Sequence, residues 1–132
     1  MAGSSLPEGP RGRILVADDE PHIRRVLVTL LEASAYEVDA VCDGSAAIDR
    51  LRSERPYDIV LLDVMMPGAT GLEVLGLLRR MDHRSDTPVV ILTAKGQDAD
   101  RTTALELGAS DFVTKPFSPK KLLARIEELL HP

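Results

Sequence analysis

Ile14-Leu15-Val16-Ala17-Asp18-Asp19-Glu20-Pro21 is the stretch whose reading decides the fold, and Ile59-Val60-Leu61-Leu62-Asp63 repeats its pattern. Each is an unbroken apolar run that ends on acids. A strand with one face in water alternates apolar and polar residues. A strand covered on both faces, as in a parallel sheet, does not need to. In open parallel sheets, chemistry gathers at the carboxyl ends of the strands. If these two strands are neighbours, Asp18, Asp19 and Asp63 converge on one pocket. Carboxylates ~4 Å apart repel by about 4 kcal/mol at an effective dielectric near 20. Such a cluster persists only with a divalent cation, a lysine, or raised pKa values.

Outward from these runs, strand-like segments alternate with amphipathic ones. Strands are predicted at 13–17, 36–41, 57–62, 88–92 and 110–114. Helices are predicted from Pro21 (an N1 proline), behind Asp43 as N-cap, from Gly71, around 98–107 up to Gly108, and from Ser118-Pro119. The segment at 98–107 has the poorest apolar stripe. Tyr36-Glu-Val-Asp-Ala-Val41 alternates, which suits an edge strand. Strand–helix alternation with short connections means βαβ units and a parallel sheet, an α/β fold in one domain. Residues 1–12, with no apolar core, read as a disordered leader, and 13–131 as the folded domain.

Composition excludes several functions. The chain has 132 residues, 44% hydrophobic and 28% charged, with a formal net charge of -5. That balance argues against direct nucleic-acid binding, which needs clustered Lys and Arg. Four aromatics (Tyr36, Tyr57, Phe112, Phe117) are too few for a base-stacking platform. Cys42 is the only cysteine, so there is no disulfide and no thiolate metal site. No stretch reaches the ~18 apolar residues of a membrane span. A cytoplasmic protein is expected.

Two more strand ends bear on chemistry: Val89-Val-Ile-Leu92 leads into Thr93-Ala94, and Asp111-Phe-Val-Thr114 into Lys115-Pro116. One pocket would then hold Asp18, Asp19, Asp63, a hydroxyl and an ammonium. Two acids and a backbone carbonyl can hold Mg²⁺, which keeps several waters. A further carboxylate is a nucleophile for phosphorus, and the hydroxyl and lysine can bind phosphoryl oxygens. The plainer reading of Asp18-Asp19-Glu20 is a solvated loop that caps the Pro21 helix.

The blocks Ile14–Pro21, Asp58-Ile-Val-Leu-Leu-Asp-Val-Met-Met-Pro-Gly68, Leu92-Thr-Ala94 and Asp111-Phe-Val-Thr-Lys-Pro-Phe117 together resemble the receiver domain of two-component response regulators, over residues 13 to about 130. The resemblance implies a flavodoxin-like (βα)5 three-layer sandwich with strand order 2-1-3-4-5. It implies that Asp63 accepts a phosphoryl group from a sensor histidine kinase or phosphotransfer protein. Asp19 would bind Mg²⁺ directly, Asp18 mainly through water, and Asp63 and the Met65 carbonyl would complete the metal's protein ligands. Thr93 and Lys115 would hold phosphoryl oxygens, Thr93 and Phe112 would form the switch, and Lys115-Pro116 would be cis. The protein would catalyse only its own phosphorylation and dephosphorylation, and would control an unknown downstream protein.

Arg101, Asp111 and Arg125 resemble the OmpR/PhoB type, which implies a homodimer through the fourth helix, fifth strand and fifth helix. Lys121 stands where that type has a Glu to pair with Arg101, and Ser110 replaces an Asp, so a weaker or different dimer is expected. A stand-alone receiver is expected, the alternative being a receiver module cut from a longer DNA-binding transcriptional regulator. Two rival functions fail on single residues. A haloacid-dehalogenase-type phosphatase wants a second Asp where Met65 stands. A nucleotide or flavin binder wants a Gly-rich loop where Asp18-Asp19-Glu20 stands.

Overall fold

The structure, a computed structural model, describes residues 11–94 and 98–131. Ten of the expected leader residues therefore lie outside the described part. Arg11 and Gly12 do not: the Arg11 amide donates to the Ala35 carbonyl at 2.9 Å, and Gly12 accepts from the Glu37 amide. Among the described residues the order is β1 (Arg13–Ala17), α1 (Pro21–Ala33), β2 (Glu37–Val41), α2 (Gly44–Arg52), β3 (Ile59–Asp63), α3 (Gly71–Arg79), β4 (Val89–Ala94), α4 (Asp98–Glu106), β5 (Asp111–Lys115) and α5 (Pro119–Leu130). The five strands form one sheet in the order β2-β1-β3-β4-β5, every pair parallel. This is the expected flavodoxin-like arrangement.

Two cores explain the unbroken apolar runs. Leu15, Ala17, Val60, Leu62, Val89 and Ile91 face one side of the sheet, against Ala47, Leu51, Val74, Leu75 and Leu78 of α2 and α3 and Ala104 of α4. The intervening residues Ile14, Val16, Ile59, Leu61, Val90 and Leu92 face the other, against Leu27 and Leu31 of α1 and Leu122 and Ile126 of α5. A two-sided strand must be apolar at every position. The poor stripe of α4 is equally legible: Ala104 is its buried anchor, while Leu105 is 52% exposed.

Helix ends follow local chemistry. Asp43 caps α2 by accepting from the Ala46 amide at 2.7 Å, and Ser118 caps α5. Thr70 and Glu73 form a reciprocal capping box at α3 that the sequence reading did not single out. Strand boundaries differ from expectation by one or two residues, in a consistent direction. β3, β4 and β5 run on to include Asp63, Thr93 and Lys115, because the ladder still pairs Asp63 with Leu92, Thr93 with Thr114 and Ala94 with Lys115. The chemistry-bearing residues thus sit on the rigid sheet.

Candidate phosphorylation site

β1 and β3 are adjacent, so Ala17 pairs with Leu62 and the acids that follow meet at one rim. One carboxylate oxygen from each of Asp18, Asp19 and Asp63 lies within 4.8 Å of the others. Asp18 is fully buried, Asp63 is 4% exposed, and Asp19 faces solvent. Asp18 is held in place twice: its carboxylate accepts from the Glu20 amide at 2.9 Å, and its carbonyl accepts from Arg24 at 2.8 Å. Glu20, at the N-cap position, makes no side-chain cap bond. Arg24 was not foreseen, because a lone Arg on an amphipathic helix gives no signal of what it reaches.

The lysine sits between the acids. Lys115 Nζ is 2.9 Å from Asp18 Oδ2 and 3.4 Å from Asp63 Oδ2. One ammonium does not balance three carboxylates. Burial, together with the charge of Asp18, pushes the Asp63 carboxyl up to about 6 despite the attraction of Lys115. Burial works to lower Lys115, but its hydrogen bond to Asp18 and the charge of Asp63 outweigh this and raise it. Two of the three devices that can hold such a cluster together, a lysine and a raised pKa, are therefore present. The third fits the donor set: three oxygen donors of excess negative charge, one open to solvent, suit a hard divalent cation that retains water.

Thr93 is buried near the end of β4, its hydroxyl 3.5 Å from the Ala94 carbonyl oxygen. Met65 lies two residues beyond β3 with its side chain 57% exposed. Phe112 is 5% exposed, and the Arg101 guanidinium lies 4.9 Å from its ring centroid. The Lys115-Pro116 peptide is cis. Arg125 Nε pairs with Asp111 Oδ2 at 2.8 Å within the one chain, and Lys121 is exposed. Lys95 lies outside the described residues. His83 is exposed, and its Nε2 is 3.0 Å from the Leu51 carbonyl oxygen and 3.1 Å from that of Ser53, at the end of α2. No described helix is long and apolar enough to cross a membrane.

Comparison with known proteins agrees with this geometry. The family model described as the response regulator receiver domain matches residues 14–127. A probable transcriptional regulator ycf27 of Cyanophora paradoxa is 52% identical over 118 residues, which are 89% of this chain and 48% of that protein. The phosphate regulon transcriptional regulatory protein PhoB of Klebsiella pneumoniae is 44% identical over 118 residues, 89% of this chain and 51% of that one. The chain spans about half the length of these curated relatives. Among solved structures, a BeF3-activated DrrB receiver domain superposes with a TM-score of 0.82 at 31% identity, covering 92% of this chain and 98% of that one. With the strand order, the acidic rim and a match running from β1 to α5, the chain belongs to the response regulator receiver domain family.

Proposed function

We propose that this chain is a phosphorylation-activated signalling switch of a two-component or phosphorelay system, with Asp63 as phosphoacceptor. The observation that carries this reading is the Asp18–Lys115–Asp63 arrangement at the rim, in which Asp63 is the buried acid with the raised pKa. A histidine kinase is the partner that a receiver domain implies. Asp63 is the carboxylate at neutral pH and attacks the phosphorus of a phosphohistidine. The new O–P bond forms as the P–N bond breaks, and the imidazole leaves with the electron pair. Lys115 Nζ, 3.4 Å from Asp63 Oδ2, would take one phosphoryl oxygen, and the Thr93 hydroxyl would take another. Asp19, Asp18, Asp63 and the Met65 carbonyl would hold Mg²⁺, which when bound neutralises charge shared by the acids and the phosphoryl group.

The output would travel through α4. A bond from the phosphoryl group to Thr93 would draw in the end of β4, which leads to α4, where Ala104 is the buried apolar anchor among the described residues. Phe112, buried and with the Arg101 guanidinium 4.9 Å from its ring centroid, would be the aromatic that this coupling moves. Moving a population from 1:99 to 99:1 takes about 5.5 kcal/mol. One or two charge-assisted hydrogen bonds of about 1.5–3 kcal/mol supply part of that, and a partner binding the active face supplies the rest. A homodimer through α4, β5 and α5 remains a proposal. The Asp111–Arg125 ion pair stands within one chain, and Lys121 presents a cation beside it, which weakens such a dimer.

The experiment is phosphoryl uptake from acetyl phosphate, read by intact mass. Uptake of one phosphoryl group in Mg²⁺ and none in EDTA is expected; uptake that ignores EDTA would contradict the metal assignment. Lifetime is a separate expectation. Met65, two residues after Asp63, offers no amide or acid to orient an attacking water, and neither does Lys95 by residue type. The acyl phosphate should persist for minutes or longer, and decay within seconds would count against this.

A second reading, a receiver module cut from a longer DNA-binding transcriptional regulator, is favoured by one observation: the relatives named as transcriptional regulators are about twice as long as this chain. Reading the gene beyond codon 132 decides it. A stop codon supports the stand-alone switch, and a continuing frame supports the module.

A further inference from the structure

The loop between β3 and α3 carries Met65 and is packed against the start of α2 more closely than any side chain allows. The Gly44 amide donates to the Pro67 carbonyl at 3.0 Å. A Cβ built on Gly44 would lie 2.7 Å from both the carbonyl carbon and the Cβ of Ala69, and nearer still to its carbonyl oxygen. The neighbour is backbone, so no rotamer change relieves the clash. On the loop's own side, Gly68 has φ +85, and a Cβ there would lie 2.6 Å from the Ser45 hydroxyl. The helix start is itself pinned by the Asp43 cap. The Gly71 amide closes the loop by donating to the Val64 carbonyl at 3.0 Å. Val64 and Met66 are buried, and the exposed Met65 stands between them.

We propose that Gly44 is a positioning residue for the phosphorylation loop: by admitting α2 to direct backbone contact with Pro67–Ala69, it sets where the stretch from Asp63 to Gly68 lies, and thereby how well the acidic cluster holds Mg²⁺. This rests on the reading of that cluster as a Mg²⁺-dependent phosphoacceptor site. Groups that orient metal ligands without touching the ion are worth about 10–100-fold in affinity.

The test compares Gly44→Ala with the parent chain and with Gly76→Ala, a helical control whose added Cβ meets nothing within 4 Å. Mg²⁺ affinity is measured by calorimetry, stability by urea unfolding in EDTA, and loop order by hydrogen exchange of the Gly71 amide in EDTA. Gly44→Ala should lose about tenfold or more in Mg²⁺ affinity and exchange Gly71 faster than its loss of global stability explains. Gly76→Ala should match the parent in both. If Gly44→Ala fails to fold, Gly68→Ala serves instead: the Ser45 hydroxyl can rotate away, the positive φ still strains the loop, and a loss in the same direction is expected. A folded variant that is merely less stable, with parental Mg²⁺ affinity and no excess exchange at Gly71, would overturn the proposal. A parent chain that binds no Mg²⁺ would contradict the proposed function instead, and the metal-free exchange comparison would still decide whether Gly44 positions the loop.

Discussion

Asp63→Asn should abolish phosphoryl uptake from acetyl phosphate and, in the same protein, raise stability above pH 6. The loss follows from removing the proposed nucleophile. The gain follows from linkage. Asp63 titrates near 3.8 when free and about 6 in the fold. Between those values the folded state keeps a proton that the unfolded state has lost, so stability falls as pH rises through the window. Below it the group costs nothing; above it the full cost stands, on the order of 1–3 kcal/mol for a shift of about two units. Asparagine carries no such cost. Urea unfolding in EDTA at pH 8 should show the variant more stable, and the gap should close toward pH 4. Mg²⁺ should stabilise the parent more than the variant, because the ion relieves the same repulsion. Equal stability of parent and variant across the whole range would contradict the strained-cluster account.

Arg84→Ala should produce the largest loss of stability of any single change outside the apolar cores. Arg84 is 3% exposed. It donates to the carbonyls of Leu51 at 3.0 Å, Ser53 at 2.9 Å and Arg55 at 2.6 Å, and its guanidinium lies 5.0 Å from the Tyr57 ring centroid. The acceptors are the last carbonyls of α2 and the connection that follows, groups that a helix leaves orphaned. Hydrogen bonds to a charged donor are worth about 1.5–3 kcal/mol each, but part of the exposed loop can be rehydrated. A net loss of roughly 3 kcal/mol is expected, with the remaining folded protein taking up phosphoryl normally, because Arg84 and its acceptors precede β4 and β3, at the other end of the strands from the acids. Arg84→Lys should recover little, since an ammonium cannot span three carbonyls as a planar fork does. A loss below about 1 kcal/mol would show the carbonyls to be satisfied by other means.

These two residues mark what the sequence discloses and what it does not. Asp63 announces itself because Ile59–Leu62 must be apolar on both faces, so an acid closing such a run has no structural excuse. The strand order needed the family resemblance, because alternation of strands and helices says nothing about which strands are neighbours. Asp43 and Ser118 were legible as caps because a cap acts within its own turn. Arg84, Arg24 and Gly44 were not legible. Their roles come from what the fold brings beside them from elsewhere in the chain, and a single arginine or glycine between polar residues carries no local signature of that. The direct Lys115–Asp18 contact belongs with these: residue type identified a cation at the rim, but only the paired register of β4 and β5 places it against β1 and β3.

The central claim is that one carboxylate of the cluster, and no other, becomes an acyl phosphate. The direct test is treatment with acetyl phosphate and Mg²⁺, trapping by borohydride reduction, and peptide mapping by mass spectrometry. The account predicts a single trapped site at Asp63, absent in EDTA. Trapping at Asp18 or Asp19, or equal trapping without Mg²⁺, would contradict it.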